Sequence, residues 1–262
     1  MADRQLVELA NISKSFDVNG KAEQVLEKVS LSVDRNEVVS LLGESGCGKS
    51  TLLNIIGGFE KPSNGTVEID GNTVTKPSKN CMMLFQNYGL LPWRSVFKNV
   101  ELGLEGQKLS AKEREERVFH YLNLVGLGDK GQQFPHEMSG GMQQRVAIAR
   151  ALATEPDIIL MDEPFAALDT FNRYYLQDEL LKIQERSQTT VVLVTHDIDE
   201  AIYLSDRIFI MSKNPGKIHR EIKIDLSKPR DRSHGNFQYY RKMIFEEFQF
   251  SGEKNNTGFF QI

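Results

Sequence analysis

The chain of 262 residues is 40% hydrophobic and 26% charged, enough apolar material for one large domain or for a core carrying a smaller subdomain. Its net charge of −4 gives no global attraction to nucleic acid or anionic lipid, and no nucleic-acid partner is expected. Only Cys47 and Cys81 are present, no apolar stretch approaches the roughly 20 residues that span a bilayer, and Met1-Ala2-Asp3-Arg4 has no apolar signal character. A soluble cytoplasmic chain is the expectation.

The first elements alternate. Val29-Ser30-Leu31-Ser32-Val33 and Thr66-Val67-Glu68-Ile69-Asp70-Gly71 place apolar and polar residues on opposite faces, which predicts half-exposed antiparallel strands. Between them Val38-Val39-Ser40-Leu41-Leu42 is a continuous run, short and β-branched or aliphatic, as in a central strand of a parallel sheet covered on both faces. It leads directly into Gly43-Glu44-Ser45-Gly46-Cys47-Gly48-Lys49-Ser50, and Thr51-Leu52-Leu53-Asn54-Ile55-Ile56 continues as a helix. This is a complete phosphate-binding loop in the strand-loop-helix setting that its chemistry requires. Its glycines let backbone N–H groups turn inward around phosphate oxygens, the helix adds its positive end, Lys49 can reach the β- and γ-phosphates, and Ser50 can hold Mg²⁺. Cys47 inside the loop reads as a small buried thiol, or as a point where alkylation would block nucleotide.

After Met82-Met83-Leu84-Phe85 comes Gln86, whose amide oxygen can reach a metal ion or an attacking water, although alone it reads as an ordinary surface glutamine. From about Tyr88 to Thr154 strand signals vanish and a helical subdomain is expected. Ser110-x-x-Glu113 has the form of a capping box ahead of Val118, Tyr121, Leu122 and Val125 at helical spacing. Further on, Ser139-Gly140-Gly141 opens an alanine-rich helix with an N-cap serine, a second anion-binding helix end in one chain. Lying in the helical subdomain, it is not expected to reach the chain's own phosphate loop. A head-to-tail pair of subunits would bring each to the other's nucleotide, with two ATP molecules between two chains.

Ile158-Ile159-Leu160-Met161-Asp162-Glu163 reads as a buried strand delivering two carboxylates to its end. Asp162 can accept from Mg²⁺-bound water or from Ser50, and Glu163 can polarise the water that attacks the γ-phosphate; away from a phosphate loop the pair would be only a turn signal. Leu176, Leu180 and Ile183 give a crossover helix, and Val191-Val192-Leu193-Val194 a further parallel strand ending at Thr195-His196-Asp197. Because ligands of open α/β sheets bind beyond the carboxyl ends of the strands, residues 43–50, 162–163 and 195–197 are expected to converge on one site. Phe237, Tyr240, Ile244 and Phe248 predict an amphipathic C-terminal helix packed on its own domain or docked on a partner, followed by a polar tail from Ser251 to Thr257.

On these motifs and their order the chain resembles, over nearly its whole length, the nucleotide-binding subunits of ABC transporters. The Walker A loop matches at Gly43, Gly48, Lys49 and Ser50, the Q-loop at Gln86, the signature at Ser139-Gly140-Gly141, Walker B at Asp162 with Glu163, the D-loop at Ala167-Leu168-Asp169, and the switch histidine at His196. The resemblance implies a RecA-like α/β P-loop NTPase core with an antiparallel β-subdomain and an inserted helical subdomain. The corresponding spans are 1–87 and 155–225 for the core, 88–154 for the helical part and 226–262 for the C-terminal helix and tail.

It further implies ATP and Mg²⁺ as cofactors and a homodimer that closes on ATP and reopens on hydrolysis. The implied partners are integral membrane permease subunits at the cytoplasmic face, with an extracytoplasmic solute-binding protein engaged indirectly. His196 would contact the γ-phosphate and Asp169 would link the two sites. Phe16 falls where the family stacks an aromatic on adenine, though a core phenylalanine fits as well. Met138 and Met142 replace the ends of the common Leu-Ser-Gly-Gly-Gln signature, which removes a ribose contact and leaves the N–H donors of 139–141. Leu90-Leu91-Pro92-Trp93 is similar to importers of the nitrate, sulfonate, taurine and bicarbonate group; Trp93 fits an interface anchor as well as packing within its own subdomain. The alternative is a non-transport ABC ATPase acting with soluble partners, but such proteins generally carry two cassettes or a long coiled-coil insertion, and this sequence has neither.

Overall fold

The computed structural model describes residues 5–84, 88–166 and 168–253. Its backbone forms two compact units. Within the described residues, one unit holds the chain up to Ile56, Glu60–Val74 and everything from Val194 onward, and the other holds Gly57–Phe59 and Thr75–Leu193.

The first unit starts with a long hairpin, β1 (Gln5–Val18) and β2 (Lys21–Asp34). Asn19 and Gly20 at its tip have φ of 55° and 77°, the left-handed pair that matches the right-handed twist of two joined strands. Val29, Leu31 and Val33 are buried while Ser30 is exposed, as the alternation predicts. β3 (Val38–Gly43) is buried at every position, and α1 (Lys49–Ile56) turns Leu52, Leu53, Ile55 and Ile56 inward. Each fully buried aliphatic side chain contributes about 1.5–3 kcal/mol relative to exposure, so these two elements hold the loop between them on a stable base. β4 (Asn64–Ile69) pairs antiparallel with β1, and β5 (Asn72–Thr73) with β4, completing a sheet of order β2-β1-β4-β5.

The second unit opens on β6 (Cys81–Leu84) and then turns helical: α2 (Val96–Glu101), α3 (Ala111–Leu124) and α4 (Gly140–Ala153) pack on one another. No strand occurs among the described residues between Tyr88 and Thr154. Ser110 and Glu113 cap α3 reciprocally, with the Ser110 N–H donating to the Glu113 carboxylate at 2.8 Å. β7 (Ile158–Asp162) runs parallel to β6, α5 (Thr170–Ser187) crosses over, and β8 (Thr190–Thr195) stands on the other side of β7.

The chain re-enters the first unit at Val194, near the end of β8, and continues with α6 (Ile198–Leu204), β9 (Arg207–Ser212), β10 (Lys217–Lys223) and α7 (Gly235–Glu253). β9 lies between β3, to which it is parallel, and the antiparallel β10. α7 packs on α6 and buries Phe237 and Ile244, so the C-terminal helix faces its own unit. The helix also continues through Glu253, past Ser251 where the sequence suggested a polar tail. Among the described residues no helix is long and apolar enough to cross a membrane.

Candidate functional site

The expected site residues fall into two sets, one on each unit. On the first, the strand-to-helix loop after β3 requires its glycines. Gly48 has φ +93°, and a Cβ there would come within 2.6 Å of Leu26 Cδ2, so both backbone and space exclude a side chain. Lys49, 5% exposed, donates to the carbonyls of Gly43 at 2.7 Å and Glu44 at 3.0 Å, which curls the loop around its own lysine. α1 starts at Lys49 directly after the loop, and the first turn of a helix is the end that favours an anion. Glu44 is ion-paired with Lys213, and Ser45 is exposed beside it. Cys47 is the small buried thiol of the sequence reading, its pKa pushed up by burial against the opposing pull of Lys49.

Two further residues of this set lie apart from the loop in sequence. Phe16, near the hairpin tip, is 36% exposed rather than a core residue, and the Lys14 ammonium lies 4.7 Å from its ring centroid while pairing with Glu60 at 2.7 Å. His196 is exposed in the turn from β8 to α6. The turn is fixed on its far side: the Asp197 N–H donates to Thr195 Oγ1 at 3.0 Å, and Asp197 caps α6 by accepting from the Glu200 N–H at 3.1 Å. His196 and Asp197 line an open cleft of about 600 Å³ whose opposite wall is Gln238, Arg241, Lys242 and Phe245 of α7.

On the second unit Asp162 ends β7 and Glu163 follows with φ 45°, a left-handed conformation that is uncommon without glycine and costs about 1–2 kcal/mol. The loop is compact. The Ala166 N–H donates to Glu163 O and the Leu168 N–H to Phe165 O, both at 3.2 Å, with the Phe165 side chain buried as anchor. Asp169 caps α5, accepting from the Asn172 N–H at 3.0 Å, and these hydrogen bonds hold its carboxyl below the usual range. Ser139 caps α4 by accepting from the Met142 N–H at 3.3 Å, with Gly140 and Gly141 forming the first turn. Gln86 and Ala167 lie outside the described residues.

Two residues here, Gln144 and Arg150, make contacts that the sequence reading missed, and the exposure of a third, Trp93, decides between its two readings. Gln144, 3% exposed, sits in phase with Ala147, Ile148 and Ala151 on the buried stripe of α4, and its amide donates to Pro164 O at 2.8 Å. A polar residue on an apolar helical stripe was the available signal. Arg150 donates to the carbonyls of Tyr88 at 2.8 Å and Gly89 at 2.7 Å, fastening the segment just after Gln86 to the same helix. Trp93 is 72% exposed and so is not packed within its own unit.

Ser50 and Asp162 offer a hydroxyl and a carboxylate, the oxygen donors that a hard cation such as Mg²⁺ accepts, and Mg²⁺ commonly takes one or two carboxylates and completes its shell with phosphate oxygens and water. In donor chemistry each of the two residues, taken by itself, suits such an ion.

The family model described as "ABC transporter" matches residues 26–166. The chain is similar to the aliphatic sulfonates import ATP-binding protein SsuB of Bacillus cereus, with 45% identity covering 94% of this chain and 97% of that one. It is also similar to the bicarbonate transport ATP-binding protein CmpC of Synechococcus elongatus, 46% identical over 86% of this chain but only 35% of that protein. Among solved structures, the post-hydrolysis dimer of the ATP-binding cassette MJ0796 bound to ADP and Pi superimposes with a TM-score of 0.74 at 36% identity, covering 85% of this chain and all of that one.

Proposed function

Because the chain belongs to the ABC transporter family and is an ATPase of that kind, we propose that it works as one of two head-to-tail subunits that clamp two ATP molecules and drive import of a small solute. The observation that supports this reading is that two helices open on glycine-rich segments on separate units of one chain, α1 after the phosphate loop and α4 after Ser139, each a start of the kind that binds anions. In one subunit the loop 43–51 holds the nucleotide's phosphates, and the Lys49 ammonium exchanges two main-chain carbonyls for phosphate oxygens. The N–H groups of Ser139, Gly140 and Gly141 from the second copy close on the γ-phosphate, and Phe16 stacks on adenine.

Within the closed pair Glu163 accepts the proton of the attacking water, His196 contacts the γ-phosphate, and Asp169 bridges the two sites. Ser50 and Asp162, with Gln86, would hold Mg²⁺, which when bound neutralises charge on the β- and γ-oxygens. ATP shifts the equilibrium to the closed pair only through its better fit to that state, and hydrolysis removes the difference.

The subunit is then peripheral, on the cytoplasmic face of the membrane, with exposed Trp93 as anchor for a permease subunit and an extracytoplasmic binding protein engaged through that permease. A small oxyanion or sulfonate is the solute class that the names of the two relatives support. Affinity purification of tagged Glu163→Gln protein from detergent-solubilised membranes with ATP and Mg²⁺ tests the reading. Recovery of an integral membrane permease supports it, whereas recovery of only a soluble dimer or of ribosomal partners moves the assignment to a non-transport ATPase.

A further inference from the structure

α6, seven residues long, begins two residues after His196, and the chain beyond β10 grips it at both ends. At its C-terminal end Arg230, 5% exposed, donates to the carbonyls of Ile202, of Tyr203 at 3.4 Å and of Ser205 at 2.6 Å. The same guanidinium reaches Leu226 O at 3.1 Å and Ile224 O at 3.4 Å. These include carbonyls at the end of a helix that have no intrahelical donor, and the guanidinium also meets the negative end of the helix dipole. Arg232 adds its planar face to the Tyr203 ring, 3.5 Å from the centroid. At the N-terminal end Arg241 of α7 pairs with Asp199 at 2.9 Å, in the first turn of α6 and beside the cleft that His196 lines.

Burying a guanidinium costs several kcal/mol unless its donors are met, so a residue that only filled space here would be apolar. What an arginine adds is direction: its fork closes several carbonyls at once and permits one orientation of α6. A helix of this length spans about 10 Å and moves as a rod, so whatever fixes its C-terminal end also fixes the turn before Asp197.

We infer that Arg230 is a positioning residue of the ATPase reaction, holding the His196 turn in place through α6, with Arg241 steadying the near end. The inference rests on His196 acting at the γ-phosphate. The P-loop holds the nucleotide independently, so loss of Arg230 lowers turnover without weakening ATP binding.

The test is steady-state ATP hydrolysis by the purified full-length protein, comparing Arg230→Ala, Arg230→Lys, Arg241→Gln, His196→Ala and the double variant Arg230→Ala/His196→Ala. The expected result for Arg230→Ala is a fall in kcat on the order of 10- to 100-fold with KM for ATP within about twofold of the parent, the size that a small misplacement far from the chemistry produces. Arg230→Lys recovers part of the loss, and the double variant is no slower than His196→Ala. Should Arg230→Ala fail to fold, Arg230→Lys and the exposed-side Arg241→Gln carry the same test, each slower than the parent at parental KM only while His196 is present. Additive losses in the double variant, or a KM effect without a kcat effect, overturn the positioning role while the reading of His196 stands. A His196→Ala enzyme at parental rate overturns that reading itself, and with it the inference.

Discussion

The side-chain amide of Gln144 donates to the main-chain carbonyl of Pro164 at 2.8 Å, joining the helix that Ser139 opens to the loop that carries Glu163. Both ends of this link are chemically consequential in the proposed cycle, since α4 presents N–H groups to one nucleotide and Glu163 acts on another. Replacing Gln144 by leucine keeps the volume but leaves the Pro164 carbonyl without its donor, a loss of about 1–3 kcal/mol. Thermal denaturation of Gln144→Leu should show that destabilisation, and hydrolysis should slow because the strained Glu163 backbone loses a support; a variant with parental melting and parental rate would remove the link from the account.

Lys49 gives a sharper readout on binding. Its ammonium satisfies Gly43 O and Glu44 O within the loop and is the charge meant for the phosphates. Lys49→Met is close in shape and removes the charge, so ATP affinity by fluorescent-analogue titration should fall about 10- to 100-fold, the value of one or two charge-assisted hydrogen bonds.

The two thiols make a prediction about pH. Burial pushes Cys81 up to about 12 from an ordinary 9.0, and Cys47 is raised as well. An unfolded chain ionises Cys81 near its ordinary value while the folded chain keeps it protonated, so the unfolded state is favoured progressively as pH rises from about 9 toward 12, with no effect below. The parent should therefore lose stability over that window relative to Cys81→Ala, measured by urea unfolding at stepped pH. At pH 8 iodoacetamide should label neither thiol in the folded protein and both in denaturant, because the thiolate is the reactive form.

The elements flanking the chemistry were legible because they are locally encoded. The runs 38–42, 158–161 and 191–194 became buried strands, the phosphate loop took the glycine conformations it needs, and Ser110 and Ser139 cap their helices as short-range patterns allow. The Asn19-Gly20 hairpin and the strand β9 had signals of the same kind, a turn dipeptide and the apolar run 208–211, that were not read.

Illegible were contacts between residues far apart in sequence or without a periodic mark. Nothing near Arg230 announces that it is buried against the end of α6, and nothing near Arg150 shows that it holds Tyr88 and Gly89. Such arginines reach partners tens of residues away, and only the tertiary fold decides which carbonyls they meet. Gln144 was intermediate, since its place on an apolar stripe signals a buried polar group but not its acceptor.

The most direct test of the central proposal, that two copies of this chain enclose two ATP molecules, is the mass of the Glu163→Gln protein by light scattering with and without ATP and Mg²⁺. Removing the base should slow hydrolysis by about 10²- to 10⁴-fold and so trap the closed pair. A monomer that doubles in mass with ATP, and returns to monomer when Gly140 is also replaced by a bulky charged residue, is the predicted result. A protein that binds ATP yet stays monomeric at saturating nucleotide would contradict it.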